Sequence, residues 1–256
     1  MSKDDFDRAV ETGRPYFGPY MMCRRSWPHI YWYQQKLMRL LSGEPRSEPF
    51  DILEIGAWAG ASRVSWGHAL RENFTGAGRI ASVDPWKSDE HPDIKAAFLH
   101  NIAASGLVDL VEPFEGTGEE AFETYADRRF DIVYVDGDHS YPFVRIDIDG
   151  ALRLLKPGGV ICGDDLEVQL HELDGAQVRA STARGEDWAA DPRSGNGYHP
   201  GVTLAVGETF GPVSAWHGFW AVRSSAEGFR PLSLDDVQAS LPDALMQYDN
   251  EGRRVG

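Results

Sequence analysis

Cysteine is almost missing from this chain. Among 256 residues only Cys23 and Cys162 occur, far apart and in unlike surroundings. Two such residues exclude a disulfide framework and a zinc-thiolate site, and they suit a reducing cytoplasm. Basic charge is also scarce: Lys plus Arg number 25 against 40 Asp plus Glu, a formal net charge of −15. A nucleic-acid surface concentrates Lys and Arg to displace counterions, so no broad phosphate-tracking face, and no nucleic-acid partner, is expected. There is no apolar run near the length of a membrane span, so no membrane partner is expected either. The opening MSKDDFDRAVETGRPYFG has no apolar core behind its basic residue and does not read as a signal peptide. Internal repeats and low-complexity tracts are absent, as is any linker long enough to divide the chain.

What is present is an alternation. The composition, 42% hydrophobic and 25% charged, is that of a globular chain. From Phe50 onward, apolar runs at residues 51–55, 79–83, 109–113, 130–135 and 159–162 predict strands buried on both faces. Helical patterns at 62–73, 92–105, 119–125 and 143–155 separate them, and the Lys156-Pro157-Gly158-Gly159 string is expected to end the last one. Val202, Val206 and Phe210 predict a further helix, and 213–224 a hairpin turning near Gly218. The expected fold is α/β: a Rossmann-like, mostly parallel seven-stranded sheet with helices on both faces and an antiparallel C-terminal hairpin. A single domain is expected, with an N-terminal helical and aromatic segment (1–49, including Trp27, Tyr31, Trp32 and Tyr33), a core at 50–166, a loop at 167–200 and a C-terminal part at 201–256. The 167–200 stretch is polar and Gly-rich without a clear period, and a loop of that length is usually functional or disordered. The aromatics near the N-terminus could form a subunit interface, which leaves a homo-oligomer open.

The chemistry gathers at strand ends. Residues 51–65 read DILEIGAWAGASRVS: a strand, an acid at Glu54, glycines at 56 and 60, then a helix. A dinucleotide fingerprint needs a second glycine where this chain has Trp58, and no Walker lysine follows. The turn therefore favours a nucleoside without phosphates, with Glu54 available for a cationic amine. Asp84 ends the second strand, where an acid accepts hydrogen bonds from ribose hydroxyls, and Trp86 just beyond could lie near an adenine. Gly116 and Thr117 follow the third strand in a short turn. The strongest feature is FDIVYVDGDHSY, followed after one helix by LLKPGGVICGDDL. Asp136 and Asp138 stand at the carboxyl end of the fourth strand, and Asp164 and Asp165 at that of the fifth. Adjacent strands lie about 5 Å apart, so Asp136 and Asp164 should come close. Grouped carboxylates repel unless a cation sits between them, and oxygen ligands suit Mg²⁺ before Ca²⁺ or Mn²⁺. Asp138 is as readily a turn residue as a member of this group.

Over residues 50–166 these linked motifs resemble the class I S-adenosylmethionine-dependent methyltransferases. The E-x-G-x-x-x-G-x-S spacing is similar to the catechol O-methyltransferase branch. The aspartates place the chain near the metal-dependent O-methyltransferases of both the catechol type and the macrocin and mycinamicin sugar type. The resemblance implies that Glu54, Gly56, Trp58, Ser62, Asp84, Trp86, Gly116, Thr117 and Asp136 line the cofactor. Within that set, Ser62 would bond the methionine carboxylate at a helix N-terminus. It implies Asp136, Asp164 and Asp165 as ligands of Mg²⁺ or another divalent cation. The catechol enzymes carry a lysine base three residues after the first aspartate and the sugar enzymes a histidine; here that residue is His139, the expected general base. The expected substrate is a small-molecule hydroxyl, foremost on a sugar of a bacterial secondary metabolite, with a catechol or other phenol next. The segment ahead of Glu54 is shorter than in the sugar enzymes, and 167–200 has no counterpart among their substrate segments. Rival readings are a nicotinamide oxidoreductase, a metal-independent methyltransferase and a non-catalytic cofactor-binding protein.

Overall fold

A computed structural model describes residues 3–17, 30–45, 48–74, 78–89, 91 and 93–246. Cys23 and Trp27 lie outside the described residues. The helices are α1 (Lys3–Thr12), α2 (Ile30–Ser42), α3 (Ala61–Asn73), α4 (Ile94–Ala104), α5 (Gly118–Thr124), α6 (Tyr141–Leu154), α7 (Gly175–Ala183) and α8 (Pro200–Phe210). The strands are β1 (Ile52–Ile55), β2 (Ile80–Asp84), β3 (Val111–Glu115), β4 (Phe130–Val135), β5 (Leu155–Leu166), β6 (Ala189–Ala190), β7 (Gly197–Tyr198), β8 (Ser214–Trp216), β9 (Gly218–Ser225) and β10 (Gly228–Pro231). Eight strands share one mostly parallel, Rossmann-like sheet, and β6 with β7 forms a separate two-stranded ribbon. The expected α/β class holds, with one strand more than the seven expected: β10 follows the expected hairpin at 213–224. No helix among the described residues is long and apolar enough to cross a membrane.

The chain folds as two compact units. The first takes residues 1–51, 57–116 and 234–256. Its strands β2 and β3 pair in parallel, Ile80 opposite Val111 through Asp84 opposite Glu115. The third strand was expected at 109–113 and begins two residues later, because Gly106, at φ 68°, and a Leu110 to Leu107 backbone bond keep the chain turning after α4. Helix α2 packs on α3, where the buried amide of Gln35 donates to Ser65 O at 2.7 Å. Phe98, Ile102, Leu107 and Trp86 belong to the buried cluster of this unit.

The second unit takes residues 52–56 and 117–233, with strand order β10-β9-β5-β4-β1 and β8 on β9. Strands β1, β4 and β5 are parallel, whereas β9 returns antiparallel to β5. Strands β4 and β1 are buried at every position, as strands covered on both faces should be, and the burial extends to the acids Glu54 and Asp131 within them. Strand β5 is longer than the expected 159–162. Pro157 and Gly158 (φ 78°) lie inside it, and the pairing with β4 shifts register between Phe130 and Ile132. Pro157 has no N–H to give to a ladder, so the turn signal marks an irregularity within the strand rather than its start. Residues 167–200, expected as an aperiodic loop, are mostly structured: a short 3₁₀ turn at Leu170–Glu172, α7 capped by Asp174, and the β6–β7 hairpin.

Candidate active site

Each unit carries its own part of the expected cofactor residues. In the second unit, Glu54 is completely buried on β1, and Gly56 closes that strand at φ 87°. A Cβ on Gly56 would stand 1.8 Å from the carbonyl oxygen of Asp136, while Asp136 N–H donates to Ile55 O at 2.9 Å. The glycine is thus required by the close passage of the backbone after β4, a reason independent of any ligand.

In the first unit Asp84 ties the turn together. Its Oδ2 accepts from the N–H of Ala57 at 3.0 Å and of Trp58 at 2.8 Å, and its Oδ1 accepts from Trp86 N–H at 2.6 Å. Trp58 and Trp86 both occupy the left-handed region, at φ 42° and 44°, an uncommon conformation for bulky residues that this network holds in place. Trp86 is buried against Phe98, and its indole N–H donates to Trp58 O at 2.9 Å. The Trp58 ring, 42% exposed, meets His91 edge-on. Ser62 is buried in the first turn of α3, and Gly116 N–H donates to Asp84 O at 3.2 Å. Thr117, in the second unit, spends its hydroxyl locally: it accepts from Glu120 N–H at 3.3 Å in a capping box that starts α5.

The acid cluster lies wholly within the second unit. Val135 on β4 stands opposite Gly163 on β5, so Asp136 and Asp164 follow on neighbouring strand ends. Between Gly163, opposite Trp220, and Leu166, opposite Gly218, β5 holds one residue more than β9. That bulge places Asp165 at φ 63°. In a regular strand successive side chains point to opposite faces; with the bulge, carboxylate oxygens of Asp136, Asp164 and Asp165 all lie within 4.8 Å of one another. Burial, then the charges of Asp164 and Asp165, pushes the Asp136 carboxyl well above its ordinary range, against an opposing hydrogen bond from Tyr134. Burial and the Asp165 charge push Asp164 up as well. Burial would also raise Asp165, but the hydrogen bond and charge of His139 and the charge of His199 hold it below its ordinary value. Three hard oxygen donors, two of them destabilised as anions, fit a divalent cation. The small cleft they line also contains the buried indole of Trp220, whose N–H has no partner among the described residues.

His139 sits beside this cluster, with Nε2 3.0 Å from Asp165 Oδ2 and Nδ1 3.1 Å from Asp187 Oδ1. The Asp165 hydrogen bond is the largest cause of a pKa pushed up to about 9; burial opposes it, and the Asp165 and Asp187 charges add to it. A second histidine, His199, stands edge-on to His139 with ring centroids 4.6 Å apart. Its Nδ1 lies 3.1 Å from Glu167 Oε1 and 3.8 Å from Asp165 Oδ1. Asp138 takes its ordinary turn role, accepting from Ser140 N–H at 2.8 Å from an exposed position.

Residues 53–166 match the Methyltransferase domain family. The match takes in β1 from Leu53, its glycine turn, Asp84 and the whole Asp136–Asp165 cluster. This segment is similar to a methyltransferase domain. The chain is 27% identical to the catechol O-methyltransferase of Mycobacterium tuberculosis (strain ATCC 25618 / H37Rv) over 187 residues, 73% of this chain and 76% of that one. It is 26% identical over 225 residues to the uncharacterised protein y4gI of Sinorhizobium fredii (strain NBRC 101917 / NGR234). That alignment takes 85% of this chain but 21% of y4gI, so the chain spans about a fifth of that relative's length. The fold is similar to that of the O-methyltransferase TomG from Streptomyces achromogenes, solved with S-adenosylmethionine: TM-score 0.50, 20% identity, 88% of this chain and 92% of that chain covered.

Asp187, Trp188 and His199 lie beyond the matched methyltransferase segment, as does Glu167, and the sequence reading did not single them out. Local signals were present: His199 directly precedes Pro200 at a helix start, and Asp187-Trp188 interrupts a polar run. Neither signal says which distant residue it will meet.

Proposed function

We propose that the chain is an S-adenosylmethionine-dependent, divalent-cation-dependent O-methyltransferase acting on a hydroxyl of a small molecule. The observation that carries this reading is the convergence of three carboxylates from two strand ends with His139 in hydrogen-bond reach. The residues that would hold the cofactor are Glu54, Gly56, Thr117 and Asp136 in the second unit and Trp58, Ser62, Asp84, Trp86 and Gly116 in the first. The cofactor supplies a methyl group on a sulfonium, ready for in-line displacement. Asp136, Asp164 and Asp165 would hold the cation, Mg²⁺ by donor type, which lowers the pKa of an acceptor hydroxyl.

The chain's own chemistry then centres on His139. Asp187 accepts from Nδ1–H and fixes the imidazole; Nε2 lies 3.0 Å from Asp165 Oδ2 here, and with Asp165 taken up by a cation it would be the nitrogen left to take the hydroxyl proton. The carboxylates give the cleft a negative lining, and buried Val135, Val144 and Trp220 wall it from solvent. A histidine base favours a sugar hydroxyl as acceptor. A catechol is the second reading, supported by the name of the mycobacterial relative.

The test is methyl transfer from S-adenosylmethionine to a panel of sugar and catechol acceptors, before and after exhaustive chelation. Activity should vanish on chelation and return with Mg²⁺. Asp164→Asn should raise the Mg²⁺ concentration needed for half activity. Full turnover in the chelated protein would remove the cation from this reading.

A further inference from the structure

We propose that Trp188 is the platform on which the ring of the acceptor stacks, so that ring shape as well as hydroxyl chemistry selects the substrate. The proposal rests on the methyl-transfer reading above for what the ligand is, but not for whether a ring binds there. Trp188 follows Asp187, the residue that holds His139, and it is 55% exposed. One exposed aromatic means little by itself; its mounting is what singles it out.

The indole lies on the β6–β7 hairpin, where Ala189 pairs with Tyr198 and Ala190 with Gly197. A Cβ on Gly197 would fall 1.9 Å from Trp188 Cζ2, so the bare glycine is what lets the ring lie against the strand. The loop closing the hairpin is tied down by Asp191, whose carboxylate accepts from Ser194 N–H at 3.0 Å and Ser194 Oγ at 2.8 Å. The Asp191 backbone adds bonds to Asn196 O at 2.9 Å and from Gly195 N–H at 2.8 Å. An exposed indole is thus fixed in place before any ligand arrives, which limits the ordering cost of binding.

Its position links it to the reaction centre. The Trp188 ring meets His199 edge-on at 4.9 Å, and His199 meets His139 at 4.6 Å. The three rings form a wall leading from solvent to Asp165. An indole takes up either the C–H face of a pyranose or the π face of a phenol. The shared chemistry is a six-membered ring with one apolar face and adjacent hydroxyls, and the carboxylates of Asp187 and Glu167 beside the wall are acceptors for those hydroxyls.

The test uses the full chain with Mg²⁺ and S-adenosylhomocysteine, and ligand-observed saturation-transfer NMR with two probes, catechol and methyl α-D-glucopyranoside. Wild type should transfer saturation to the ring protons of one of them, which tells the two ring sources apart. Trp188→Ala should weaken that probe by about tenfold, and Trp188→Phe by no more than about threefold, since a ring face remains. S-adenosylhomocysteine affinity should be equal in all three proteins, which also shows that the variants fold. If methyl transfer is detectable, the loss should fall on KM and leave kcat nearly unchanged. Equal probe binding by wild type and Trp188→Ala, or no saturation transfer from wild type to either ring, overturns the platform. Saturation transfer that depends on Trp188 without any methyl transfer would keep the platform and sink the catalytic reading instead.

Discussion

Asp187 reaches across 48 residues of chain to place its carboxylate 3.1 Å from Nδ1 of His139. The contact joins the end of β4 to a segment with no periodic signature. It leaves the imidazole's other nitrogen on the acid cluster.

His139→Ala should lower kcat by about 10²–10⁴-fold, the usual worth of a positioned base, while leaving cofactor affinity nearly intact. Steady-state kinetics with calorimetry of S-adenosylhomocysteine checks both halves. A variant that turns over at the wild-type rate would remove His139 from the chemistry.

In cation-free protein the His139 imidazole should titrate near pH 9 rather than near its ordinary 6.5. Because the folded state holds this proton more tightly, the group's contribution to stability is complete below about 6.5 and fades as pH rises to about 9. Asp187→Asn removes one of the two carboxylates and should lower the value seen in an NMR titration of the ring protons. A His139 signal titrating near 6.5 in the wild type would contradict the pairing.

Asp147 on α6 is buried, and burial first, then the charges of Asp138 and Glu119, raise its carboxyl to about 7. A carboxylate whose folded pKa is raised gives stability at low pH that is lost as pH climbs from about 4 to about 7. Asp147→Asn keeps the shape without the charge, so it should flatten that decline and raise Tm at pH 8. Thermal melts at pH 5 and pH 8 decide it; a variant no more stable than wild type at pH 8 speaks against the strain.

Gly56→Ala should cost at least about 3 kcal/mol, combining a left-handed backbone with a collision against backbone that cannot swing aside. The collision is with Asp136 O, so the loss should appear in urea melts without any ligand present. Loss of cofactor affinity at unchanged stability would return the glycine to a purely ligand-facing role.

Asp84→Ala strips three backbone donors of their acceptor. It should destabilise the fold by about 2 kcal/mol, lowering Tm by roughly 5 °C for a chain of this size, and it should weaken S-adenosylmethionine. An unchanged Tm would show that the turn does not need its knot, and an unchanged calorimetric affinity would take Asp84 out of the cofactor site.

The sequence by itself determined the alternation of strands and helices from residue 50 and the acids at the ends of β1, β2, β4 and β5. Each of these is a local property: hydrophobic period, a glycine or proline at a break, an acid one step past an apolar run. Strand adjacency then carried Asp136 and Asp164 together, since parallel neighbours end side by side. Tertiary structure alone decided the rest. The bulge that turns Asp165 onto the same face as Asp164 depends on β9 arriving antiparallel from some sixty residues later. Gly56 answers to the backbone of Asp136, and Asp84 to the amides of Ala57 and Trp58, at distances no local pattern encodes. Asp187, His199 and Trp188 reach the cluster because the 167–200 segment folds back on itself. A side chain's type is written in the sequence, but its partner is fixed by the path of the chain between them.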